Sequence, residues 1–107
     1  MNIYIFQEEV DEEKETPLTR CAAVRAAATA ALLLERGADC ERCDVRGRSP
    51  LTAAAEAGAV GVVKALLAAG AEAGRVDRRG ESAVGIAAAN GRDAVVGVLL
   101  GALEMEG

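Results

Sequence analysis

Two thiols stand in a spacing associated with chemistry. Cys40-Glu41-Arg42-Cys43 is a C-x-x-C, the pattern of a disulfide oxidoreductase or of half a tetrahedral zinc site. Neither reading is completed elsewhere in the chain. Zinc takes four ligands, and the sequence offers no His and only one further cysteine, Cys21. A redox C-x-x-C opens a helix, whose positive end lowers the thiol pKa. Cys40 and Cys43 instead precede a turn at Asp44, in the arm of a finger. The pair reads as structural, with Cys43 open to oxidation, and a dithiol redox protein using Cys40 and Cys43 is the remote alternative. Without His, the usual nucleophile–base sets are impossible. The glycines from Gly58 to Gly61 are followed by no Gly-Lys-Ser/Thr, so they form a helix joint and no phosphate loop. The sequence therefore points away from an enzyme, a cofactor and a metal.

Charge is the second chemical resource. The net charge is −5 over 107 residues, and it is concentrated. Glu8, Glu9, Asp11, Glu12, Glu13 and Glu15 face Lys14 alone within residues 1–15, so the rest of the chain is balanced. That acidic run reads as solvated. No basic excess points to nucleic acid. The apolar run Ala26 to Leu34 is too short to span a bilayer. The start, Met-Asn-Ile-Tyr-Ile-Phe, lacks the basic residues and long apolar stretch of a secretory signal. An odd cysteine count without such a signal implies reduced thiols and a cytoplasmic or nuclear location.

The elements that position these groups are short helices. From Ser49 to Ala71 the chain reads as a helical hairpin. Ser49 is an N-cap, Pro50 fits the first helical position, and Gly58 ends the first helix. A second apolar run, Val60 to Leu67, stops at Gly70. Neither helix is long enough to persist alone, and repetition supplies the neighbours. Thr16, Ser49 and Ser82 lie 33 residues apart. The same step relates Leu18, Leu51 and Val84, then Leu33, Leu66 and Leu99, and also Asp44 and Gly47 to Asp77 and Gly80. Such a period marks stacked repeats. Alanine is the commonest apolar residue and aromatics are only 2%, which predicts a narrow, close-packed stack.

These residues resemble the ankyrin repeat family, in its pattern of an Asp-x-x-Gly turn, Thr-Pro-Leu-His-x-Ala-Ala, a Val-Val-x-Leu-Leu helix and a closing Gly-Ala. The resemblance implies an all-α solenoid of stacked helix-turn-helix pairs with short β-hairpin-like fingers. It divides a single domain, 1–107, into a flank (1–10), a degenerate first repeat (11–43), the best copy (44–76) and a third repeat (77–107). Departures carry expectations of their own. Arg25 stands where Gly58 and Gly91 stand, yet a helix break near Arg25 is expected from the later register. The family's His, which ties neighbouring repeats together, is replaced by Thr19, Thr52 and Gly85. Threonine should take over part of that role and glycine none. The last helix should run from about Asp93 through Leu99-Leu100.

The implied function is a scaffold or adaptor that binds another protein through finger tips and a concave face. Carried over by position, the contact residues are Glu12, Glu13 and Glu15, then Val45, Arg46, Arg48, Glu56 and Ala57, then Arg78, Arg79, Glu81, Ala89 and Asn90, with Cys43 and Val76 beside the fingers. Arg46, Arg48, Arg78 and Arg79 suggest a partner with an acidic segment at fingers two and three. A fragment of a longer array with a mainly stacking role is the alternative. No nucleic acid and no membrane are expected.

Overall fold

The structure is a computed structural model that describes residues 16–44 and 47–106. Six helices occur in it: α1 (Pro17–Ala23), α2 (Ala27–Glu35), α3 (Pro50–Ala57), α4 (Val60–Ala68), α5 (Ala83–Ala89) and α6 (Asp93–Glu106). Their starts follow from the repeated cap residue. Thr16, Ser49 and Ser82 are all extended, and each side-chain oxygen accepts a first-turn amide: from Thr19 at 3.2 Å, Thr52 at 3.3 Å and Gly85 at 3.2 Å. Each cap satisfies a backbone donor that a helix start leaves open.

The first helices end in the same way three times. Ala59 N donates to Ala54 O at 2.9 Å, and Arg92 N donates to Ala87 O at 2.8 Å, around left-handed Gly58 and Gly91. Around Arg25 the equivalent bond, Ala26 N to Cys21 O, is 2.9 Å, and Arg25 itself has φ 61°. The break expected near Arg25 is present, held by a residue whose Cβ opposes it. The left-handed conformation costs a non-glycine residue roughly 1–2 kcal/mol. Glycine's greater freedom in the unfolded chain offsets part of that. Arg25→Gly should therefore stabilise the fold by about 0.5–1 kcal/mol, read as a higher urea midpoint with an unchanged slope.

Hairpins α1–α2, α3–α4 and α5–α6 stack in two layers, α1–α3–α5 and α2–α4–α6, with each helix also packed on its hairpin mate. The core runs between the layers. Leu18, Leu51, Val62, Val63, Leu66, Val95 and Leu99 are its large, fully enclosed side chains, and alanines fill the remaining space. Small residues set the spacing. An added Cβ at Gly61 would lie 2.8 Å from Ala27 Cβ, whereas at Gly97 it would meet nothing within 4 Å. The same substitution should thus act with opposite signs. Gly97→Ala should gain about 1 kcal/mol of helix propensity. Gly61→Ala should lose about 1 kcal/mol net, because overpacking the α2–α4 contact outweighs that gain. Thermal melts of the two variants test the pair.

Two expectations are modified, and a third, the helix running through Leu99-Leu100, is met and extended. The fingers do not form strands among the described residues; the third has a single antiparallel bridge, Val76 to Ser82. Ser82 is already the cap of α5, so no residue is left to extend the pairing. Both fingers are turns closed by backbone bonds, Asp44 N to Arg48 O at 3.0 Å and Asp77 N to Glu81 O at 2.9 Å. Next, the threonine hydroxyls do not tie repeats together. Thr19 Oγ1 donates to Thr16 O at 2.8 Å and Thr52 Oγ1 to Ser49 O at 2.9 Å, so each spends its one proton inside its own repeat. Last, α6 continues to Glu106. Left-handed Gly37 and Gly70 close α2 and α4, but Leu103 holds the equivalent position and nothing stops the helix there.

Candidate functional site

Where the fingers fold back toward the first helices, two clefts open side by side. One, of about 240 Å³, lies between α1, the second finger and α3, with Thr19, Ala23, Ala53 and Ala57 on its walls. The other, of about 230 Å³, lies between α3, the third finger and α5, with Asp77, Arg79, Glu81, Ile86, Ala89 and Asn90 around it. Arg48 and Glu56 line both clefts and so form the partition.

That partition is built from Asp44 upward. The Asp44 side chain is 4% exposed. Its Oδ1 accepts the Arg48 amide at 3.0 Å, and its Oδ2 accepts Arg48 Nε at 3.1 Å. Held at its root, Arg48 extends Nη1 to Glu56 Oε1 at 2.6 Å. A buried carboxylate thus fixes an arginine, and the arginine fixes the carboxylate of α3. The reason is electrostatic: each bond is charge-assisted, and partial burial weakens screening by water.

Of the residues expected to meet a partner, Arg48, Glu56, Arg79, Glu81 and Asn90 come together at the clefts, with Ala57 and Ala89. Glu12, Glu13, Glu15, Val45 and Arg46 lie outside the described residues. Arg78 serves finger packing: a Cβ added at Gly47 would come within 2.7 Å of Arg78 Cγ. Val76 is 51% exposed, and Cys43 is half-buried with its Sγ donating to Glu41 O at 3.5 Å. Neither lines a cleft. Of the four arginines that suggest an acidic partner, Arg46 lies outside the described residues, Arg48 lines both clefts but is committed to two carboxylates, and Arg79 lines the second cleft.

Sequence reading missed Asp44 as the hub, and Ile86 as apolar wall. It also missed a clamp between repeats. Glu41 Oε2 accepts the Glu72 amide at 2.7 Å, and Glu41 Oε1 accepts Arg75 Nη1 at 2.9 Å. The Asp44–Arg48 spacing was available as a signal. Glu41 and Arg75, one repeat and one residue apart, left none.

The thiols are not activated. Burial pushes Cys21, Cys40 and Cys43 upward; Glu41 and Asp39 push Cys40 further, and Arg75 only partly opposes the rise at Cys43. Raised pKa values mean that the unfolded chain loses these protons first. Their contribution to stability is fully present below the unfolded thiol pKa, about 8.5, and falls as pH climbs through the higher folded values. Denaturation midpoints should drop above that pH, and less so in Cys21→Ala, which installs the residue found at Ala54 and Ala87. Iodoacetamide labelling of the native protein should be slow at neutral pH.

Fold and site together define a helical-repeat solenoid with two adjoining clefts divided by an ion pair. The chain belongs to the ankyrin repeat family: a family model described as "Ankyrin repeats (3 copies)" matches residues 28–106, from α2 through α6. Repeats of this family are in general protein–protein interaction modules. Comparison with curated proteins gave no match. Among the described residues no helix is long and apolar enough to cross a membrane, and no His, Cys, Asp and Glu side chains group as a metal site.

Proposed function

We propose that this chain is a scaffold or adaptor that binds a partner protein across its concave face, without catalysis, in the cytosol or nucleus. The supporting observation is the pair of adjoining clefts between finger edges and first helices, about 240 and 230 Å³. A run of two such clefts suits an extended segment of another protein, with one side chain on each side of the Arg48–Glu56 partition. The test is affinity capture followed by mass spectrometry, then binding of the captured partner to variants. Ile86→Asp and Asn90→Ala should weaken capture, whereas Lys64→Glu, on the exposed side of α4, should leave it unchanged. Equal capture by all three variants would remove the concave face from the interaction.

A second reading, stacking as part of a longer array, is favoured by one feature. Ala22 and Ala55 are fully buried, but their equivalent, Ala88, is exposed, and Leu100 is 47% exposed. Light scattering separates the readings: a stable monomer supports an independent binding module, and concentration-dependent association supports stacking.

A further inference from the structure

The second and third fingers are the same device with one charge reversed. By the 33-residue step, Asp44 corresponds to Asp77, Arg48 to Glu81 and Glu56 to Ala89. In the second finger, Asp44 holds a guanidinium that the chain itself supplies. In the third, Asp77 keeps the same backbone role: its Oδ1 accepts the amides of Arg79 at 2.8 Å and Glu81 at 2.9 Å. The residue that should carry the cation is now a second carboxylate. Among the described residues no side-chain cation pairs with Asp77 or Glu81. Both line the second cleft, whose walls also carry the Arg48–Glu56 pair.

From this we infer that the cleft beside the third finger receives an arginine side chain of the partner protein, in the place that Arg48 fills in the second finger. The inference rests on the concave-face reading and names the partner's chemistry. Three features favour a guanidinium. Its planar fork matches two neighbouring carboxylates, which a lysine ammonium contacts only as a point charge. Ala89 in place of a glutamate opens the wall beside Ile86, where the methylene stem of an incoming side chain can lie. The occupied second finger is a working example of the same contact within the chain. Arg79 lines the cleft as well and has no side-chain ion pair among the described residues.

The experiment presents the full chain with a library of extended peptides whose central residue is Arg, Lys, citrulline or Glu and whose other positions vary. Arginine should be enriched about five- to tenfold over citrulline, which keeps the shape without the charge. Asp77→Asn with Glu81→Gln should abolish that preference while the helical circular dichroism stays unchanged. Glu81→Arg should rebuild the pairing of the second finger, raise the denaturation midpoint and close the cleft to arginine peptides. Enrichment of glutamate, or an arginine preference that survives both variants, would overturn the inference and leave the concave face as binding surface. Absence of any arginine enrichment would overturn it too; the effect of Ile86→Asp on the captured partner then decides the concave-face reading by itself.

Discussion

Leu66→Ala should lower the stability of the protein by about 3–4 kcal/mol, a large share of the roughly 5–15 kcal/mol that keeps a domain folded. Leu66 is fully enclosed. It lies on α4, the helix that packs against α1, α2, α3 and α6. Removing three carbons there takes away their transfer free energy and leaves a hole. The hole is expected to persist. The core combines alanines and Val62, Val63 and Val95 with Leu18, Leu33, Leu51 and Leu99; alanine has no side-chain torsion and valine is stiff at χ1, so only the leucines are free to relax into the hole and most of it stays open. That puts the cost toward the upper part of the usual range for Leu→Ala.

The equivalent change at Leu33 should cost less, because Leu33 retains 6% exposure and α2 has a repeat on one side only among the described residues. Ordering Leu66→Ala above Leu33→Ala by guanidinium denaturation tests whether the middle repeat couples its neighbours. A stack held by nearest-neighbour contacts is most sensitive at its centre. Equal losses at the two positions would mean that each hairpin carries its own stability.

Where the sequence was legible, it was so because local chemistry repeated in register. Thr16, Ser49 and Ser82 could be assigned as caps, since a cap depends on one hydroxyl and the amide three residues on. Leu33, Leu66 and Leu99 could be placed in the core, since a leucine kept at one phase of a repeat has one face to occupy. Arg25 shows how register can override a local preference: the side chain disfavours the left-handed turn, and packing of α1 and α2 onto their neighbours imposes it. The site was less legible. Arg48 looked like a free finger-tip charge, because its i, i−4 partner Asp44 gives no sign in sequence of being buried. Its second partner, Glu56, is brought near only when the finger folds back on α3. Glu41 and Arg75 meet across a repeat boundary, and no periodic rule links them. Repeat register therefore gives the backbone and the core, while side-chain pairing at the clefts depends on how each finger closes.

The Arg48 partition allows fold and recognition to be separated. Arg48→Ala should destabilise the protein by about 2–3 kcal/mol. Breaking a buried pair by deleting one partner typically costs about 3–5 kcal/mol, because the remaining charge stays out of water. Here Asp44 keeps its bond from the residue 48 amide, and the Arg48 side chain is 20% exposed, so the loss is smaller. Glu56→Ala should cost under about 1 kcal/mol, since Glu56 is 51% exposed and its pairing is screened. Both substitutions remove the wall between the clefts, and both should change partner affinity to a similar extent, but only the first should shift the denaturation midpoint appreciably. Asp44→Asn added to Arg48→Ala supplies the control. With the Asp44 charge gone, the double variant should be less destabilised than the sum of the two single changes, because the residues act as one unit. Additive losses in that cycle would mean that Arg48 supports the second finger through its methylene packing, with the charge on Asp44 contributing nothing to its hold.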